Sequence, residues 1–131
     1  MPTGITAGPD GACYAATLTG FPFVQGAARV YRMQDGNGDG DALDDGETTI
    51  FAEGLTTATD LAFGADGTLY VTEFSTDMLK QAPGRLVKVD GSTVTEVAGP
   101  LVSPTALLVL PDGRIVVAQE FPGIVTILEQ D

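Results

Sequence analysis

Apolar and polar residues alternate in short runs along this chain, and the runs recur in a fixed order. Three segments follow one template: "PTGITAGPDGACYAATL" from Pro2, "ATDLAFGADGTLYVTEF" from Ala58 and "PTALLVLPDGRIVVAQEF" from Pro104. Each holds an apolar run, an Asp-Gly pair and a second apolar run. The pairs are Asp10-Gly11, Asp66-Gly67 and Asp112-Gly113. Asp-Gly tolerates positive φ in a tight hairpin, so each segment predicts two antiparallel strands.

A third strand is predicted after each hairpin, in "ARVYRM" from Ala28, "GRLVKVD" from Gly84 and "GIVTILE" from Gly123. The first two units add a fourth, "TTIFAEG" from Thr48 and "TVTEVAG" from Thr93. Repeated units of four antiparallel strands, punctuated by glycine, predict an all-β chain built as a β-propeller. The expected count is about three blades, covering residues 1–54, 55–99 and 100–131, with the last one short of its outer strand. A β-sandwich also contains hairpins, but a threefold recurrence argues against it. Blades bury their faces on neighbouring blades, so an arc of three leaves two apolar faces and one strand edge uncovered. Two copies joined about a twofold axis complete roughly six blades, which makes a homodimer the expected partner state.

The segment "LTGFPFVQGAARVYRM", Leu18 to Met33, resembles a phrase of the ScyD/ScyE family, propeller proteins named from the scytonemin biosynthesis cluster of cyanobacteria. "TDLAFGADGTLYVTEF" and "APGRLVKVDG" are similar to this family and equally to the wider NHL and gluconolactonase-like propellers. The resemblance implies half of a six-bladed propeller and an exported protein, and it carries over no catalytic residues. The opening "MPTGITAGPDG" itself has no signal-peptide pattern, and no segment reaches transmembrane length.

Charge concentrates in one place. Of 18 acidic residues, Asp35, Asp39, Asp41, Asp44, Asp45 and Glu47 lie in "QDGNGDGDALDDGE", between the third and fourth strands of the first unit. Alternating oxygen ligands followed by glycine suit a calcium loop, and Asp35, Asn37, Asp39 and Gly40 match its opening. Counted from Asp35, the twelfth residue is Gly46, so Glu47 falls one place late and the loop is one residue longer than the pattern. Asp41, Asp44, Asp45 and Glu47 are the further candidate ligands of a structural Ca²⁺, and a solvated acidic loop is the competing reading. With no histidine and one cysteine, zinc and copper do not fit.

The loops joining second to third strands, and one blade to the next, emerge together on the face opposite the acidic loop. Phe21 and Phe23 form an aromatic cluster there, a candidate ligand or interface surface. Asp60, Glu73 and Glu120 approach the same face or the central channel, where carboxylates hold metal or act as acid and base in a lactonase-type hydrolase. Counted from the Asp-Gly pairs, Glu73 aligns with Gln119 rather than Glu120, which separates the two in direction.

The absence of histidine closes the histidine-dependent routes of streptogramin-lyase-like, paraoxonase-like and quinoprotein sugar dehydrogenase propellers. No dinucleotide or Walker fingerprint points to an organic cofactor. A net charge of -12 repels nucleic acid and anionic membranes. Cys13 cannot form an intrachain disulfide, and its apolar run predicts a small buried side chain. A non-catalytic binding or scaffold module therefore leads, with a small molecule of unassigned identity as ligand. A metal-dependent hydrolase and a truncated or engineered half-propeller with no ligand are the alternatives.

Overall fold

A computed structural model describes residues 1–129. Eleven strands form three separate antiparallel sheets, each wound in sequence order from the inside outward. The first contains β1 (Pro2–Ala7), β2 (Cys13–Thr17), β3 (Ala28–Met33) and β4 (Thr48–Leu55). The second contains β5 (Ala58–Phe63), β6 (Leu69–Glu73), β7 (Gly84–Asp90) and β8 (Thr93–Leu101). The third has β9 (Pro104–Val109), β10 (Ile115–Gln119) and β11 (Ile124–Leu128). All eleven expected strands are present, and the only described helix is one 3₁₀ turn, Met78–Lys80.

The hairpins are made differently from the expected two-residue turn. Gly8-Pro9-Asp10-Gly11 is closed by the Gly11 N–H donating to the Gly8 carbonyl, and Gly64–Gly67 and Leu110–Gly113 repeat it. Only the glycine takes positive φ, at 83° for Gly11, 86° for Gly67 and 91° for Gly113. The aspartate instead turns its carboxylate onto the amide two residues on, Ala12, Thr68 or Arg114, at 3.0–3.1 Å. In the first turn, Arg32 and then the Tyr14 hydroxyl hold the Asp10 carboxyl down to about 2.

Sheets pack face to face, so the core is divided between two junctions. Ala16, Val30 and Ala52 of the first sheet meet Leu61, Val71 and Val87 of the second. Tyr70 and Leu86, from the second sheet's other face, meet Leu107, Ile115 and Val117 of the third. The innermost strands β1, β5 and β9 run side by side.

The two end faces are open. Ile5, Leu61 and Leu107 stand at one place in the repeat, yet Leu61 is 2% and Leu107 9% exposed whereas Ile5 is 69% exposed. Cys13 shares its place with Leu69 and Ile115, both buried, and is itself exposed. The expected burial of Cys13 is thus corrected: its position is a core position of the repeat, but among the described residues no sheet covers the first sheet's outer face. At the other end Leu108, Val125 and Ile127 are exposed on the third sheet.

Candidate functional site

The passage from one sheet to the next is built the same way twice. After β4, Thr57 takes φ 46°; after β8, Ser103 takes φ 44°. A residue other than glycine rarely adopts this conformation, which costs about 1–3 kcal/mol, so neighbouring bonds must hold it. The Thr57 hydroxyl donates to the Ser75 carbonyl at 2.6 Å and accepts from the Ser75 amide at 2.9 Å. Ser103 accepts from the Phe121 amide at 3.0 Å. The carbonyls of Thr57 and Ser103 accept from the Phe74 and Glu120 amides.

Glu73 belongs to this crossover. Fully buried at the end of β6, it accepts from the Thr56 amide with Oε1 and from Arg85 Nε at 2.6 Å with Oε2. Gln119 occupies the matching place in the third sheet, accepting from the Val102 amide at 2.7 Å and donating to the Thr126 hydroxyl at 2.9 Å. One side chain with an acceptor oxygen thus fixes the residue before each left-handed position. Arg85, Thr57 and Ser103 are absent from the sequence-derived candidates, although Thr57 and Ser103 each lie nine residues before the aspartate of a turn.

Asp60 joins two sheets. Its carboxylate accepts from the Leu107 amide of β9 and from the Leu61 amide, both at 2.9 Å. Glu120 is exposed, with its backbone amide bound to Ser103. Asp60, Glu73 and Glu120 therefore have separate partners, and two of them serve packing. Among the described residues no three His, Cys, Asp or Glu side chains are gathered to hold a metal ion.

Two aromatic pairs mark the loop face. Phe21, 80% exposed, stands edge-on to Phe23 with ring centroids 6.2 Å apart. Phe74 and Phe121 make a second edge-to-face pair at 6.2 Å. This pair borders a cleft of about 600 Å³ between the second and third sheets, also lined by Met78, Pro83, Val102 and Ser103. Its walls are mostly apolar, with Ser75, Gln81 and Ser103 as the polar lining residues, a composition suited to a small organic ligand. Both phenylalanines end the second apolar run of their templates, a signal that was available in the sequence.

In the acidic loop, carboxylates are turned onto the loop's own backbone. Asp35 accepts from the amides of Asn37, Gly38 and Gly40, and these bonds, Gly40 first, hold its carboxyl below the usual range. Asp39 and Asp41 each accept from the amide two residues on. The Asn37 side-chain Nδ2 donates to the Asp44 carboxylate, and Asp45 lies exposed beside it. Glu47 is nearly buried and spans the loop's two ends, accepting from the Gly36 amide at 2.8 Å and the Asp44 amide at 3.1 Å.

No protein-family model matches the chain, and no curated protein does. Among solved structures it is similar to a catalytically inactive histidine-to-alanine variant of virginiamycin B lyase from Staphylococcus aureus, crystallised with quinupristin. The TM-score is 0.58 at 19% identity over 98% of this chain and 41% of that one, so the chain spans less than half the length of the lyase. That protein is a seven-bladed β-propeller. Three antiparallel sheets, sequentially wound and packed face to face in the manner of that neighbour, make this chain a partial β-propeller.

Proposed function

We propose that the chain is a non-catalytic β-propeller module that self-associates as a homodimer into a closed ring of about six blades, presenting its loop face to a small molecule. The observation that carries the reading is the pair of open end faces. Positions that are core at both internal junctions, Ile5 and Cys13 among them, are exposed where the run of blades stops. Covering them with the third sheet of another copy, whose Leu108 and Ile127 are also exposed, removes apolar surface from water at both ends at once. The cleft beside Phe74 and Phe121 is the proposed ligand site.

Light scattering on the purified chain tests the association. A mass of twice 13.5 kDa is expected, and a folded species of 13.5 kDa at all concentrations overturns it.

The ScyD/ScyE assignment, with the export it implies, is proposed on the Leu18–Met33 phrase alone. A structural Ca²⁺ in the acidic loop is proposed on the spacing of Asp35, Asn37 and Asp39; binding would require these side-chain oxygens to exchange backbone amides for the ion. A ligand held only by the folded state raises its stability. Millimolar Ca²⁺ is therefore expected to raise the melting temperature by several degrees over chelator, and Asp35→Asn to abolish the rise. Identical melts with and without Ca²⁺ would leave a solvated loop.

A further inference from the structure

We infer that the ring is closed by a specific hydrogen bond, from the Thr105 hydroxyl of one copy to the Pro2 carbonyl of a second copy, made twice per dimer; this rests on the homodimer reading above. The inference comes from a device that recurs in all three innermost strands. In β1, Pro2 pairs with Thr17 and Gly4 with Ala16, leaving Thr3 as the extra residue of a bulge. In β5, Ala58 pairs with Glu73 and Asp60 with Thr72, leaving Thr59. In β9, Pro104 pairs with Gln119 and Ala106 with Ala118, leaving Thr105. A bulge re-aims the side chain of its unpaired residue.

At both internal junctions that side chain reaches the next sheet. Thr3 Oγ1 donates to the Ala58 carbonyl at 2.8 Å, and Thr59 Oγ1 donates to the Pro104 carbonyl at 2.9 Å. Each acceptor is the residue immediately before the next bulged threonine. The same hydroxyls also lie within 3.3 Å of a carbonyl in their own sheet, that of Ala16 or Thr72. Thr105 has the same residue type and the same bulge, but among the described residues it has no further sheet beside it and its hydroxyl makes no side-chain hydrogen bond. The residue before the first bulged threonine is Pro2. Continuing the series therefore places Pro2 of a second copy as the acceptor for Thr105, with β1 of that copy beside β9.

The side chains on the faces agree with this register. Tyr14 and Tyr70, at equal places in the repeat, are buried against the following sheet, and Val116 holds that place on the third. Leu86, fully buried on the second sheet, corresponds to Val125, 68% exposed on the third. Val125 and the half-buried Val116 would meet Ile5, Cys13 and Ala15 of the second copy, so the only cysteine of the chain reports on the contact.

The test measures the dimer dissociation constant by sedimentation and Cys13 reactivity toward an aromatic disulfide reagent. Thr105→Val keeps the side chain's shape and removes the donor; losing two neutral hydrogen bonds is expected to raise the dissociation constant about thirtyfold. Thr105→Ser, which restores a hydroxyl, is expected within about threefold of wild type. In the wild-type dimer Cys13 is expected to react at least ~10-fold more slowly than in the dilute monomer, a readout that stands even if Thr105→Val fails to fold. A wild-type dimer with Cys13 fully reactive, or an unchanged constant for a folded Thr105→Val, overturns the latch and leaves the homodimer standing. A chain that is monomeric throughout overturns both.

Discussion

Glu73 shows how a buried charge can be part of the scaffold without chemistry. Its two oxygens have one donor each, the Thr56 amide and Arg85, and the first of these fixes the peptide entering a left-handed threonine. Glu73→Ala would leave a buried amide without an acceptor and Arg85 without its counter-charge, an expected loss of about 3 kcal/mol in urea denaturation. Glu73→Gln keeps an acceptor for the Thr56 amide, as Gln119 does for Val102, but sets an NH2 against the Arg85 N–H, so a smaller loss of about 2 kcal/mol is expected. The alignment of Glu73 with Gln119 was legible from the spacing of the Asp-Gly pairs. Their shared role was not, because the group they bind is a backbone amide, which leaves no trace in residue type. Asp60 was legible as a carboxylate on an inner strand; its direction, sideways onto the Leu107 amide, depends on a neighbouring sheet that local sequence does not describe.

At the scale of elements, strands follow the alternation of apolar and polar residues closely because one register places a whole apolar set on the buried face. Turns were less legible: Asp-Gly marks all three, but the pair sits at the end of the turn because the acceptor is the carbonyl two residues before the aspartate, Gly8, Gly64 or Leu110, a backbone group that residue type does not reveal. The start of β7 carries a further constraint. A Cβ on Gly84 would stand 2.1 Å from the Glu73 carbonyl oxygen and 2.7 Å from Pro104 Cδ. Neither neighbour can move without disturbing a crossover, so Gly84→Ala is expected to destabilise by about 3 kcal/mol. Gly11→Ala, which meets open space but sits at φ 83°, is the comparison, with an expected loss of about 1 kcal/mol from backbone strain alone. Paired thermal melts of the two variants separate a steric clash from a conformational preference.

At the scale of the molecule, the fold was legible because it repeats: each weak local signal is read three times. What lies outside that repetition was read less fully. The cleft between the second and third sheets is made by loops that the template does not predict, and the spacing of the acidic loop says nothing of which amides its carboxylates face. The exposure of Cys13 illustrates the same boundary. Burial is a property of the assembled stack, and the sequence of one position cannot tell whether it is in the middle of a stack or at its end.

In the proposed dimer, the two open faces would make the chain a bifunctional building block with a different end on each side. Such a unit obeys the rules of cyclisation against chain growth. When the angle subtended by three blades is near half a turn, the second junction forms within an already joined pair, at a high effective concentration, and growth stops at two. Should a substitution at either junction open or tighten that angle, the same faces would go on adding copies, and the product would be a helical fibre of uncapped blades. In the proposed ring, the bend between adjacent sheets, more than the stickiness of either face, would be what stops assembly at a small closed particle.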